Sequence, residues 1–214
     1  GMVPSGTGSD LARSLGMARG IDEACARLAA PERMITDLGM VTYRVGGEED
    51  RRYFVNAAGI GYDAEVVSRR NGFNRYMRGT LPYLASVATT LMTYHNKDVT
   101  IAMDGSAARH RVTAVVVAIG RYFGGGMRVA PNALLDDGLF DVITVGDVGH
   151  MELVYNFPRV YRGTHLTHPK IGAERARLVT VESDHPVLVQ ADGELLGMAP
   201  VTFQILPRAL TLLR

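Results

Sequence analysis

The chain has 214 residues, of which 47% are hydrophobic and 21% are charged, a composition typical of a folded globular protein and not of a disordered one. Its 23 lysines and arginines against 22 aspartates and glutamates give a formal net charge of +1, which argues against a nucleic-acid-binding protein. The longest weakly charged stretch, residues 80–95, is shorter than the roughly 20 apolar residues that cross a bilayer. The one cysteine, Cys25, excludes an intramolecular disulfide and favours a reducing compartment.

Hydrophobic periodicity predicts short helices near the start of the chain and a strand-rich remainder. The predicted helices are residues 11–15, 21–30, 62–70, 81–94 and 150–161. The predicted strands are residues 35–45, 52–60, 99–103, 111–120, 139–145, 176–182, 187–190, 201–206 and 209–213. Pro158 is expected to bend or end the last helix, because its nitrogen has no hydrogen to donate. The pattern predicts an α+β fold, mainly an antiparallel β-sandwich-like domain with inserted helices.

The first segment whose residues suit a ligand-binding role is Gly6-Thr7-Gly8-Ser9-Asp10. Glycines allow close approach of a backbone to a phosphate, and the start of a following helix attracts an anion. A simple glycine-rich turn before a helix is the alternative interpretation, and the segment alone does not decide between them.

A second segment, residues 56–63, runs from a predicted strand through Gly59 and Gly61 into a helix that begins near Asp63. An aspartate at this position commonly caps the helix. The same position also suits a carboxylate that holds a hydroxyl or an amine of a ligand.

The third segment contains three consecutive glycines, 124–126, followed by Asp136-Asp137-Gly138. Consecutive glycines are entropically costly, so a fold keeps them where side chains do not fit. The aspartate pair is typical of a loop that binds a hard cation through one carboxylate and neighbouring carbonyls. An ordinary β-turn with Asp and Gly in their usual places is the alternative.

The fourth segment is Asp192-Gly193-Glu194, a predicted turn between two strands. Asp-Gly at the tip of a hairpin is a common structural pair. Glu194 is also a candidate general base, because removing a proton from an alcohol requires a carboxylate within hydrogen-bonding reach.

The order of these four segments resembles the diacylglycerol kinase and sphingosine kinase family of lipid kinases, especially its soluble bacterial members. The resemblance extends from Pro4 to about Leu206 and is most specific from Gly124 to Val142. It implies an N-terminal α/β domain with a Gly-Gly-Asp-Gly-Thr nucleotide loop, a β-rich C-terminal domain, and a cleft where ATP and lipid meet. The chain contains no such loop. Residues 1–32 are therefore expected to end the first domain, and residues 33–214 to form the C-terminal domain.

The resemblance also implies roles for individual residues. Gly6, Thr7 and Gly8 would contact ATP. Asp63 would contact the lipid head group, and Glu194 would accept the proton of the lipid hydroxyl.

By the same resemblance, Asp137 and the backbone carbonyls of Leu134 and Leu139 would hold a magnesium ion. Ser9 departs from the family, which usually has Asn there. Serine keeps a hydrogen-bonding oxygen but loses the amide donors.

The implied activity is ATP-dependent phosphorylation of a hydroxyl of diacylglycerol or a related lipid, with little activity expected from this chain alone. The alternatives are a non-catalytic binding or regulatory module of the same fold and, ranked lower, an enzyme similar to NAD kinases. The expected partners are a lipid substrate, a membrane contacted peripherally through Arg75, Arg78 and the helix over 81–94, and a second copy of the chain in a homodimer. The expected location is the cytoplasm or the membrane periphery.

Overall fold

The computed structural model of the chain describes residues 9–17, 21–29, 31–73 and 81–213. The helices of these ranges are α1 (Asp10–Ser14), α2 (Ile21–Ala29), α3 (Tyr62–Phe73), α4 (Leu81–Thr93) and α5 (His150–Arg162), with a short 3-10 helix at His165–Thr167. Their strands are β1 (Arg33–Val45), β2 (Glu48–Phe54), β3 (Ala57–Gly61), β4 (Lys97–Met103), β5 (Ser106–Val112), β6 (Ala114–Ala118), β7 (Phe140–Val145), β8 (Ile171–Ala176), β9 (Leu178–Glu182), β10 (Leu188–Ala191) and β11 (Glu194–Leu213). No helix in the described ranges has the length and apolar character needed to cross a membrane.

The described strands form one antiparallel sheet in the order β5-β4-β9-β11-β10-β3-β6-β7-β8, and β1 and β2 branch from it through β11. Strand β11 makes this branching possible because of its length. It pairs with β10 near its start, with β9 in its middle and with β1 along most of its course. The sheet therefore curls around a core, which confirms the predicted α+β, antiparallel, sandwich-like fold.

Aromatic packing holds the centre of the main core. The Phe54 ring stacks on Phe140 at a centroid distance of 5.7 Å and meets Phe203 edge-on at 6.3 Å. Gly39 lies directly beneath Phe54, and a Cβ atom at this position would come within 2.2 Å of the ring. The glycine thus allows the two strands to approach around the aromatic cluster.

Strands β3 and β6 are buried on both faces, since every residue of each strand is buried. One face packs in the main core. The other carries Ala57, Val116 and, from β7, Ile143, which pack with Val129 and Val160 in a second cluster. Continuous apolar runs of this kind are typical of strands covered on both sides.

Two predicted strands are each divided in the structure. The segment over 52–60 breaks at Val55 and Asn56, whose amides donate to the side chain of Asp192 in the turn between β10 and β11. The segment over 111–120 breaks at Thr113, whose amide donates to the carbonyls of Val145 (2.8 Å) and Gly146 (3.1 Å).

Conversely, the predicted strands over 201–206 and 209–213 are one strand, β11. Pro207 and Arg208 form an irregularity within it, and Arg208 has a positive φ of 53°. Strand β8 was not predicted because its exposed residues hide the alternation. Helix α5 passes through Pro158 without ending and stops at Gly163, which has a φ of 72°.

Candidate functional site

A cavity of about 670 Å³ lies between helices α3, α4 and α5 and the second face of strands β6 and β7. Its walls are mostly aliphatic and aromatic, and include Val66, Val87, Val116, Ile143, Phe157 and Val160. Such walls favour a ligand with a large apolar part, because hydrocarbon gains free energy on leaving water.

Polar residues from separate segments of the sequence lie together at one rim of this cavity. They include Asp10, Asn56 and Asp192, and Gly125 lies beside them. Asp10 accepts a 2.7 Å hydrogen bond from the Gly125 amide, and the Asn56 side chain donates to the Tyr122 carbonyl at 2.9 Å. Residues from each of the four predicted segments, or directly beside them, thus meet at this end of the sheet.

Gly124 and Gly125 line the cavity at this rim, and all three glycines at 124–126 have positive φ angles, of 67°, 85° and 100°. L-residues with side chains rarely adopt this conformation. At Gly126 a Cβ atom would also lie 2.0 Å from the guanidinium of Arg13, which in turn stacks over the Tyr122 ring at 5.3 Å. The glycines therefore let helix α1 sit directly on the loop.

Asp192 fixes the rim through three backbone amides. Its Oδ2 accepts from Val55 at 2.7 Å, and its Oδ1 accepts from Asn56 at 3.1 Å and from Ala57 at 3.0 Å. Asp192 and Gly193 have φ angles of 47° and 82°, as a tight hairpin turn requires. The sequence predicted the turn, but gave no sign that its aspartate holds the gap between β2 and β3.

Asp63 stands at the start of α3 and lines the cavity as a buried carboxylate. Gln190 donates to its Oδ2 at 2.8 Å, while its Oδ1 has no hydrogen-bond partner among the described residues. A Cβ atom at Gly59 would lie 2.5 Å from Oδ2, so that glycine makes room for the carboxylate. Burial raises the pKa of Asp63 to about 7, and the bond from Gln190 and the nearby amides offset only part of this effect.

Glu194 lies beside the rim, directly after Gly193, and its side chain is exposed. It forms an ion pair with Arg52 of β2. The Gly193 amide donates to the side-chain oxygen of Gln190 at 3.0 Å, and the Gly193 carbonyl accepts from Arg70 at 3.1 Å. The turn that carries the candidate base is thus held from both sides, by residues that sequence reasoning missed.

Asp37, a further residue missed by sequence reasoning, anchors the turn at 136–138. It is completely buried, and its two oxygens accept 2.7 Å hydrogen bonds from the amides of Gly138 and Arg208. A buried carboxylate bound by two amides joins the turn to the irregularity in β11.

The predicted magnesium ligands Leu134, Asp137 and Leu139 lie in and around this turn. Asp137 accepts a 3.1 Å hydrogen bond from the Leu139 amide through Oδ1, and its Oδ2 pairs with Arg175. Asp141 also lies 3.9 Å from Arg175. In this arrangement the turn does not fit magnesium, because both oxygens of Asp137 are engaged, Oδ2 by the Arg175 guanidinium and Oδ1 by the Leu139 amide. Magnesium at Asp137 remains a prediction that requires Arg175 to move.

The predicted nucleotide contacts Gly6, Thr7 and Gly8 lie outside the described residues, as do Arg75 and Arg78. Within the described ranges, no group of three or more His, Cys, Asp or Glu side chains is arranged to hold a metal ion. The boundary at residue 32 remains a prediction.

Among characterised proteins, the chain is similar to bacterial enzymes named diacylglycerol kinase. It is 28% identical over 203 residues to that of Staphylococcus carnosus, covering 95% of this chain and 64% of the relative. It is 29% identical over 216 residues to that of Mycobacterium tuberculosis, covering 100% of this chain and 68% of the relative. The chain thus spans about two thirds of the length of these relatives.

Solved structures show the same fold. A diacylglycerol kinase from Bacillus anthracis str. Sterne superposes with a TM-score of 0.67 at 20% identity, over 98% of this chain and 64% of that one. Yeast NADH kinase superposes with a TM-score of 0.51 at 8% identity, over 92% of this chain and 49% of that one. The model of a family described as the YegS C-terminal NAD kinase beta sandwich-like domain matches residues 56–214. The chain therefore belongs to this family, and its predicted resemblance to the bacterial diacylglycerol kinases is confirmed.

Proposed function

We propose that this chain is the lipid-binding part of an ATP-dependent kinase that phosphorylates a hydroxyl of diacylglycerol or a related lipid. The observation that carries the proposal is the apolar cavity of about 670 Å³ with a polar rim at one end. The kinase names of the bacterial relatives support the reaction class. The apolar walls would hold hydrocarbon, and the rim would hold the head group.

Asp63 is suited to bind the head group. Asp63 lines the cavity, and its buried Oδ1 has no hydrogen-bond partner among the described residues. With a pKa of about 7 the carboxyl either donates or accepts a hydrogen bond near neutral pH. A protonated carboxyl can donate to a lipid hydroxyl or carbonyl oxygen, and the ionised form can accept from a hydroxyl. The buried position makes either bond strong relative to one in water.

Glu194 is suited to accept the proton as the lipid oxygen attacks the γ-phosphate. The geometry supports this role through Gln190, which bonds both Asp63 and the Gly193 amide. A substrate hydroxyl bound near Asp63 would therefore have a fixed position relative to the turn that carries Glu194. Arg52, now paired with Glu194, would have to release it.

ATP would supply the phosphoryl group, and Gly6, Thr7 and Gly8 are the residues proposed to contact it. Glycine amides and a hydroxyl at this place suit phosphate oxygens. The location that we propose for the protein is the cytoplasm, with peripheral contact to the membrane.

The test is transfer of radiolabelled phosphate from ATP to diacylglycerol by the full-length gene product. The variant Glu194→Gln keeps the shape but removes the base, and we expect it to lose roughly 100-fold or more in rate. Glu174→Gln, on an exposed part of β8, is the matched control and should keep full activity.

Full activity of Glu194→Gln would remove Glu194 from the mechanism. Absence of transfer by the unaltered protein to any glycerolipid would instead favour the non-catalytic binding module. Transfer to NAD and not to lipid would favour the NAD kinase-like alternative.

A further inference from the structure

We propose that the outer face of α5, formed by Met151, Val154, Tyr155 and Pro158, docks on a lipid bilayer. These residues follow the i, i+3, i+4, i+7 spacing of one helix face. Met151 is 82% exposed and Tyr155 is 84% exposed. A helix face that is apolar and open to solvent is uncommon in a globular domain and marks a contact surface.

The opposite face of the same helix lines the cavity. Leu153, Phe157 and Val160 contribute to the cavity wall. Helix α5, all of which the structure describes, contains no buried residue. Helix α5 alone thus separates the cavity from solvent here, and both its inner and its outer face are apolar.

The charges of α5 suit a membrane surface. Its acidic residue, Glu152, is paired with Lys170 at 2.7 Å and lies 3.1 Å from His168. Its last turn carries Arg159 and Arg162. The Arg159 guanidinium is held by Asn156 and Thr167, whereas Arg162 is exposed. An apolar face with an exposed arginine at its end matches the bilayer interface, where a basic side chain meets lipid phosphates.

The bilayer is favoured over a protein partner by the position of this face beside the cavity, and this step rests on the proposed function. A lipid with long chains resides in a bilayer and not in water, so an enzyme must take it from there. Tyr155 is also of the amphipathic type enriched at the membrane interface. A helix docked flat on the bilayer would place the cavity next to the source of the lipid.

The test is flotation of the protein with vesicles of phosphatidylcholine and phosphatidylglycerol. The double variant Met151→Ser/Tyr155→Ser should bind the vesicles at least about tenfold more weakly than the unaltered chain. The control Val45→Ser/Met198→Ser removes two exposed apolar side chains of β1 and β11, which do not line the cavity, and should bind as the unaltered chain does.

Equal binding of the first variant, or no vesicle binding by the unaltered chain, would overturn the proposal. Dimers in light scattering that dissociate in the Met151→Ser/Tyr155→Ser variant, without loss of vesicle binding, would assign the face to a second copy. Binding of water-soluble dioctanoylglycerol should be unchanged in this variant, which also shows that it is folded. Failure of the unaltered chain to bind dioctanoylglycerol would contradict the proposed function. The vesicle experiment would still decide whether the outer face of α5 docks on a bilayer.

Discussion

The side-chain amide of Gln190 donates a 2.8 Å hydrogen bond to the buried Oδ2 of Asp63. Gln190 is itself completely buried, and its oxygen accepts the Gly193 amide at 3.0 Å. One amide therefore connects the candidate head-group residue with the turn that carries the candidate base. Two residues far apart in sequence depend on it for their relative position.

We expect Gln190→Leu to lower the free energy of unfolding by about 1–3 kcal/mol, because Asp63 and the Gly193 amide both lose a buried partner. Urea unfolding measures this change. Gln204→Leu, at an exposed position of β11, is the matched control and should change stability little. A loss no larger in Gln190→Leu than in the control would show that the bridge does not stabilise the fold.

Asp63 should make stability depend on pH. Its folded pKa of about 7 lies above the ordinary 3.8, so between these values the folded chain binds more protons than the unfolded chain. Stability contributed by this group therefore falls as the pH rises from about 4 to 7. The variant Asp63→Asn lacks this titrating group. Its free energy of unfolding, relative to that of the unaltered chain, should therefore rise by up to about 4 kcal/mol as the pH increases from about 4 to 7.

Urea unfolding at several pH values checks this expectation. Asp184→Asn, at an exposed loop, provides the control and should leave the pH profile unchanged. A constant difference between Asp63→Asn and the unaltered chain from pH 4 to 8 would mean that Asp63 titrates normally.

Asp192→Ala should destabilise the chain by about 2–4 kcal/mol, because three amides lose a charged acceptor. Hydrogen exchange at Val55, Asn56 and Ala57 should accelerate in this variant, since these amides donate to Asp192. Unchanged exchange at the three amides would contradict the assigned contact.

Arg175 should compete with magnesium for Asp137, because it pairs with the Oδ2 atom. Added magnesium should leave the thermal midpoint of the unaltered chain unchanged and raise that of Arg175→Gln. The double variant Arg175→Gln/Asp137→Asn should lose this response. An equal rise in the unaltered chain would show that the ion binds there without displacing Arg175.

Local sequence patterns predicted the elements whose residues are all buried to a similar degree. The apolar runs of β3 and β6 stand out because both of their faces are buried. The glycines at 124–126 were expected to lie where side chains do not fit, and their positive φ angles explain why.

Long-range contacts account for the features that the pattern missed. The pattern ends one strand at residue 206 and begins another at residue 209, yet the chain continues through Pro207 and Arg208 as β11 because the buried Asp37 accepts the Arg208 amide. Gln190 received no role and Asp192 only that of a turn residue, since their partners at 55–63 lie more than a hundred residues away. Asp63 and Glu194 were candidates from their places beside glycine turns, and the resemblance gave them specific roles; the structure shows what holds the segments that carry them.

Binding of a lipid in the cavity decides whether this chain is a lipid-binding domain. Native mass spectrometry with dioctanoylglycerol should show one lipid on the unaltered chain. Val116→Trp and Val160→Trp, which fill the cavity from the sheet and from α5, should reduce this binding roughly tenfold or more, while Val45→Trp at the exposed hairpin should not. Equal binding by all of these variants, or no binding by the unaltered chain, would contradict the account.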